Sequence, residues 1–251
     1  MKPPASTTIL GIETSCDETA AAVLDGEGHV LANVISSQQT VHERFGGVVP
    51  ELASRAHIQN VDHVTRQALD AAGLTWQDLG AIAVTQGPGL AGALLVGISY
   101  AKSLAYALGI PLVGVSHLEG HIASAWIDRP SFPRTCVVLI ASGGHTHLFH
   151  ATEHGGFHLM GRTIDDAAGE AFDKGAQMLG LGYPGGPLID AAARKGSPAA
   201  VRFPRSRVRT GQLDFSFSGL KTALLYHLQR MDQEAIVRQQ ADLAAGYQEA
   251  I

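Results

Sequence analysis

Apolar and polar positions alternate through ILGIETSCDETAAAVLDGEGHVLANVI (residues 9–35) in a way that predicts three consecutive strands. A short apolar run, ILGI, leads into the small polar loop ETSCDET. AAAVLD, the turn DGEG and HVLANVI complete the set. Glycine-containing turns between β-prone runs mark antiparallel neighbours. The same grammar returns, in different residues, in CVVLIASGGHTHLFHATEHGGFHLMGRTI (136–164), with the loop ASGGHT in the place of ETSCDET. Two such patterns also arise unrelated in α/β proteins. Read as an echo, they suggest two related lobes, each opening on a hairpin with a small polar first loop. A ligand is then expected where the two loops face each other.

Between the echoes the period changes. PELASRAHIQNVDHVTRQALDAAG (50–73) carries apolar residues at helical spacing and ends at Gly73. LGAIAVTQGPG (79–89) reads as a buried strand and a glycine loop, and 90–109 as a mostly apolar helix closed by Gly109. IPLVGVSH (110–117) is a further strand, and LEGHIASAWID continues as a helix. Strands alternating with helices predict an α/β fold with helix-covered sheets. The expected lobes are residues 1–130 and 131–251.

Composition narrows the class. At 251 residues, 45% hydrophobic and 16% charged, the chain has enough apolar material for a sizeable core. A formal net charge of −5 means that any polyanion must be met by locally gathered positive charge. The start, MKPPASTTILG, lacks the apolar stretch of a signal peptide. The most apolar segment, 90–109, contains Lys102, Ser99 and Ser103. Two cysteines, Cys16 and Cys136, do not make a disulfide framework. The expectation is a cytoplasmic protein with no membrane partner.

Three features carry chemistry. Ser142, Gly143 and Gly144 follow a strand, where successive N–H groups can cradle an anion. Taken alone, the tripeptide is more often a plain turn. The first loop adds the hydroxyls of Thr14, Ser15 and Thr19 beside Asp17 and Glu18. A later GYPGGP (182–187) has Asp173 and Lys174 upstream and Asp190 downstream. The third feature is SHLEGH (116–121). On a helix, residues four apart differ by about 40° around the axis, so His117 and His121 share a face suited to a divalent cation. From spacing alone, two surface histidines are the commoner explanation. A zinc protease would place glutamate directly after the first histidine. Here Leu118 holds that position, and Glu119 projects largely to the other side.

GIETSCDETAAAVLD, SRAHIQNVDHV, GPGLAGALLVGISYAKSLA, VSHLEGHIASAW, SGGHTHL, DDAAGEAFDKGAQMLGLGYPGGP and DFSFSGLKTAL together closely resemble the TsaD family, once called the Gcp or O-sialoglycoprotease family. The match runs in order across nearly the whole chain. The resemblance implies an actin-like ATPase (ASKHA) fold, with two lobes and a cleft between them. It implies transfer of a threonylcarbamoyl group from threonylcarbamoyl-AMP to N6 of adenosine 37 in tRNAs that read codons beginning with A. His117 and His121 are then two ligands of one divalent metal ion, Fe2+ first and Zn2+ second. Ile140, Ala141, Ser142, Gly143 and Gly144 line the substrate phosphate and acyl group. Asp173, Gly186 and Asp190 match nucleotide-binding positions for ATP or threonylcarbamoyl-AMP. His145, beside the phosphate loop, is the candidate catalytic group that polarises the acyl carbonyl, and His147 is a structural neighbour. The implied partners are tRNA, a TsaB-like paralogue and a TsaE-like ATPase.

The family's continuation past QQADLAAGYQEAI would carry a glycine-rich adenine segment, an asparagine and an aspartate that completes the metal shell. The expectation is therefore a shortened form whose activity depends on those residues. Arg202, Arg205, Arg207 and Arg209, with Arg194 and Lys195, offer a tRNA surface or a solvated arginine-rich loop. A metalloprotease and a non-catalytic nucleotide-binding scaffold are the competing functions.

Overall fold

The computed structural model describes residues 7–251 except 128, 130, 154, 206, 207 and 209–212. The chain forms two compact units that divide between Phe132 and Pro133.

In the first unit, β1 (Thr8–Glu13), β2 (Glu18–Leu24) and β3 (Val30–Ser37) form an antiparallel meander. Leu10 pairs with Val23 and Ile12 with Ala21, all four buried, so the period-two pattern puts one apolar row on the inner face. The short helix α1 (Gln39–His42) follows, then α2 (Pro50–Ala72), with proline at its first position and Gly73 just past its end. The strand β4 (Leu79–Gly87) lies parallel to β1. Helix α3 (Ala91–Leu108) then leads to β5 (Leu112–Ser116), parallel to β4. The sheet order is β3-β2-β1-β4-β5. Leu10, Ile12, Val23, Ile82 and Val84 of the sheet pack with Val61, Val64 and Ala68 of α2 and Ala101 and Ala105 of α3. α3 is long and apolar enough to span a bilayer by length and composition. Its small buried residues instead pack on α2 and β4. The strand expected over 110–117 ends at Ser116, where the serine Oγ accepts the Glu119 N–H and starts α4 (His117–Ala123). His117 is thus the first residue of a helix, not the last of a strand.

The second unit opens on β6 (Cys136–Ala141), β7 (Thr146–Ala151) and β8 (Phe157–Arg162), again an antiparallel meander. The echo in the sequence is therefore an echo in structure. Each first hairpin turns through a four-residue loop, 14–17 in one unit and 142–145 in the other. Among the described residues four helices follow: α5 (Ala168–Met178), α6 (Gly185–Ala193), α7 (Ser218–Leu228) and α8 (Gln233–Ala250). Ala176, Leu179, Ile189, Leu220, Leu224, Leu243 and Tyr247 form their core. Tyr247 is fully buried, and its hydroxyl donates to the Ala171 carbonyl at 3.0 Å, so the ring's one polar atom is satisfied. Asp165 accepts from Ser216 and Ser218 hydroxyls and from the Phe217 N–H, which ties the DFSFSG segment to the end of the meander.

Candidate functional site

In the first unit, the carboxyl ends of three parallel neighbours supply one cluster. Glu13 is the last residue of β1, Thr85 lies near the end of β4, and His117 directly follows β5. Such strand ends are the usual ligand edge of an α/β sheet. Glu13 Oε2 lies 3.2 Å from His117 Nδ1 and accepts from Thr85 Oγ1 at 2.7 Å, while Oε1 takes the Ser15 N–H. Burial pushes the Glu13 carboxyl up, but the bonds from His117, Ser15 and Thr85 outweigh it and hold it down at about 2. An ionised carboxylate can only accept, so His117 Nδ1 carries a proton, and in the neutral ring Nε2 is then the nitrogen with the lone pair.

His121 Nε2 stands 3.0 Å from that Nε2, with the ring planes at 82°. Burial, with the adjacent His117 ring, holds the His121 imidazole below its ordinary range and so keeps it in the neutral, metal-binding form. Two imidazole nitrogens this close are bridged either by one proton or by one cation. A carboxylate behind the first imidazole fixes its tautomer in the way metal-binding histidines are commonly oriented. The pair therefore fits a divalent ion as two of its ligands. No group of three or more His, Cys, Asp or Glu is arranged around a common point among the described residues. Glu119 is exposed at the third helical position, where its backbone N–H is capped by Ser116 Oγ.

Glu13→Gln should weaken Zn2+ binding by about 10–100-fold, since an amide no longer dictates which nitrogen of His117 is protonated. Competition against a chromophoric chelator measures this, and unchanged affinity would show that the carboxylate does not support the pair.

The first loop is built differently from the expectation. Thr14 is buried and donates to the Ala93 carbonyl at 2.9 Å, and Thr19 Oγ1 lies 2.8 Å from His57 Nδ1. Both hydroxyls are internal fastenings. Of the three expected to meet a ligand, only Ser15 reaches the cluster, 3.2 Å from His117 Nδ1.

In the second unit, Ile140 is buried in β6, Ala141 ends the strand, and Ser142, Gly143 and Gly144 form the hairpin tip. The Ser142 N–H donates to the His145 carbonyl, and Ser142 Oγ accepts the His145 N–H, which closes the turn. Added Cβ atoms on Gly143 and Gly144 would meet nothing within 4 Å, so their outer side is open. The rings of His145 and His147 lie 5.6 Å apart, and His147 stacks on Phe149.

Helix α5 connects this tip to the GYPGGP segment. At its start, Ala168 N–H donates to Thr146 Oγ1 and Gly169 N–H to the Ser142 carbonyl. One turn on, on the same face, Asp173 Oδ1 accepts the Gly185 N–H at 2.7 Å and so caps α6. Burial, together with nearby Glu170, keeps the Asp173 carboxyl above its ordinary range against the Gly185 bond. Gly186 lies in the first turn of α6 with open space beside it, and Asp190 follows one turn later, paired with Arg194 and reached by Gln248. It is Gly185 that the packing requires, since a Cβ there would lie 2.5 Å from Asp173 Cα and Phe172 O.

Sequence reasoning missed Glu13, Thr85, Gly169 and Gly185. Glu13 had one available signal, an acid closing the buried run ILGI.

A family model described as TsaD, tRNA N6-adenosine threonylcarbamoyltransferase, matches residues 29–251. The tRNA N6-adenosine threonylcarbamoyltransferase of Clostridium perfringens is 53% identical over 243 residues, covering 97% of this chain and 72% of that protein. The Moorella thermoacetica enzyme of the same name is 54% identical over 245 residues, covering 98% and 72%. Among solved structures, component A of the Acidaminococcus fermentans (R)-2-hydroxyglutaryl-CoA dehydratase aligns over 98% of this chain and 74% of its own, with a TM-score of 0.50 and 15% identity. That last likeness concerns the fold alone, the α/β actin-like ATPase architecture expected from the sequence. With a matching model over most of its length and relatives above 50% identity, this chain belongs to the tRNA N6-adenosine threonylcarbamoyltransferase family.

Proposed function

We propose that this protein transfers the threonylcarbamoyl group of threonylcarbamoyl-AMP to N6 of adenosine 37 in tRNAs reading codons that begin with A, with His117 and His121 holding a divalent metal ion, Fe2+ or Zn2+. The observation that carries the metal reading is the 3.0 Å approach of two imidazole nitrogens, one of them oriented by ionised Glu13.

The N6 amine is a poor nucleophile because its lone pair is delocalised into the ring. In the transfer a bond forms from N6 to the carbamoyl carbon, the bond from that carbon to the phosphate oxygen breaks, AMP leaves, and N6 loses a proton. A bound divalent ion supplies Lewis acidity. The chain's own residues do the rest. His117, with its Nδ1 proton held by Glu13, and His121 fix the ion's position. The Gly143 and Gly144 amides would stabilise the charge of the departing phosphate. His145 polarises the acyl carbonyl. Asp173, Gly186 and Asp190 receive the nucleotide.

The test supplies threonylcarbamoyl-AMP, unmodified tRNA and the family's partner proteins, then digests the tRNA and quantifies the modified nucleoside. Its appearance supports the reading. Hydrolysis of the adenylate with unmodified tRNA would overturn it, and peptide-bond cleavage would favour the metalloprotease.

Positive charge near residues 194–211 suits a tRNA backbone. Arg202 and Arg205 are exposed and line a groove of about 470 Å³ beside Phe203, and Arg205 pairs with Glu249. Arg207 and Arg209 lie outside the described residues. Arg202→Glu is expected to weaken binding of all tRNAs alike. It should also flatten the plot of log affinity against log salt by about 0.7–0.9 for each phosphate that the arginine neutralises. An unchanged slope would place the tRNA surface elsewhere.

A further inference from the structure

Behind the first loop lies a buried polar chain that the transfer chemistry does not use. His57, on α2, is 0% exposed, and Gln38 and His42 are 2% and 1% exposed. His57 Nε2 lies 3.0 Å from the Cys16 carbonyl. Its Nδ1 faces the Thr19 hydroxyl at 2.8 Å and the Gln38 amide nitrogen at 3.4 Å. Gln38 Oε1 in turn meets His42 Nε2 at 3.2 Å, and His42 Nδ1 receives the Val49 N–H at 3.3 Å. Only one proton assignment satisfies every group. A carbonyl cannot donate, so His57 Nε2 carries the proton, and its Nδ1 accepts from Thr19 and Gln38. His42 likewise donates from Nε2 to Gln38.

Three successive carbonyls of the loop are thereby held from three elements. Ser15 O takes the Leu90 N–H at 2.8 Å, Cys16 O the His57 ring, and Asp17 O the Gln38 N–H at 3.0 Å. Of these holds, only the His57 bond comes from a side chain. The loop so pinned carries Ser15, whose N–H engages Glu13 and whose hydroxyl sits against His117 Nδ1.

We infer that His57 is a positioning residue for the histidine pair. Through the Cys16 carbonyl it fixes the loop that places Ser15 and Glu13 behind His117, and so it sets which His117 nitrogen faces outward. The inference rests on the reading of His117 and His121 as metal ligands only for its effect on a cation. The effect on the His117 proton is independent of that reading.

The experiment compares the native protein with His57→Leu and His57→Gln. Glutamine can reproduce the pattern, with an amide N–H for Cys16 and an oxygen for Thr19 and Gln38, whereas leucine fills the space without a donor. The first readout is the pair of His117 ring 15N shifts, recorded without metal. The native protein and His57→Gln should show one Nδ1-protonated tautomer, and His57→Leu a mixture. The second is Co2+ titration followed by its visible absorption, where His57→Leu should bind about tenfold more weakly and His57→Gln within about threefold of native. Equal His117 spectra in all three proteins, with only melting temperature changed, would overturn the inference. Native protein that binds no Co2+ would overturn the metal reading and leave the 15N result to decide this one. Should His57→Leu fail to fold, the native protein itself decides. Scalar coupling across the hydrogen bond from the His57 Nε2–H to the Cys16 carbonyl is expected, and its absence removes the link on which the positioning depends.

Discussion

His117→Ala should abolish stoichiometric metal binding and lower tRNA modification by more than the 10–100-fold typical of losing a mere supporting group. The reason is positional. His117 is the member of the pair whose proton is pinned by Glu13, so its loss removes both a proposed ligand and the group that links Glu13 of β1 to α4. His121 alone, on a seven-residue helix, offers a single imidazole where the native pair offers two. Metal content after dialysis, measured beside the modified nucleoside per tRNA, checks both halves of the expectation. His147→Ala, on β7 of the other unit, is the control expected to retain its metal. Native metal content in the His117 variant would remove the ligand assignment.

Gly169→Ala is expected to damage the stability of the second unit and its ligand affinity together. A Cβ there would lie 2.5 Å from Ser142 O, 2.7 Å from Ser142 C and 2.8 Å from Gly143 Cα, all backbone atoms that no rotamer change can relieve. Either α5 or the hairpin tip must shift, and the Gly169 N–H bond to Ser142, 3.1 Å long, is strained with it. Overpacking of this kind costs about 1–3 kcal/mol, and a weakened hydrogen bond about 1 kcal/mol more. Thermal unfolding should therefore move down by several degrees, and adenylate affinity should fall because the displaced residues form the proposed anion cradle. Gly186→Ala provides the contrast. Its Cβ meets nothing within 4 Å, so the melting temperature should hold while any loss of affinity reports on the ligand directly. Equal melting temperatures for the two variants would refute the packing account.

Much of this could be read from the chain because local rules dominate the relevant segments. The paired meanders follow from period-two patterning and glycine turns, and the ends of α2 and α3 fall at the glycines the pattern named. The histidine spacing was visible because it lies within one helical turn. Glu13 was not, since its partners are 72 and 104 residues away and only the parallel order β1-β4-β5 brings them together. Thr14 and Thr19 misled for a related reason. A hydroxyl in a polar loop looks ligand-facing until the sheet shows which way each residue points, and these two point inward. Gly169 and Gly185 were hidden because close approach between segments leaves no mark on the local pattern.

The capped helix that bears both imidazoles is built from residues 116–123, whereas the acid behind it arrives with the first strand. Under the proposed metal reading, tight chelation demands that β1, β4 and β5 be paired, because Glu13 meets His117 only across them. By mass action, an ion preferring the assembled state raises the cost of opening β1 as well as α4. Amide hydrogen exchange along the amino-terminal strand is thus a remote gauge of occupancy at the imidazoles, slowing as cation concentration rises.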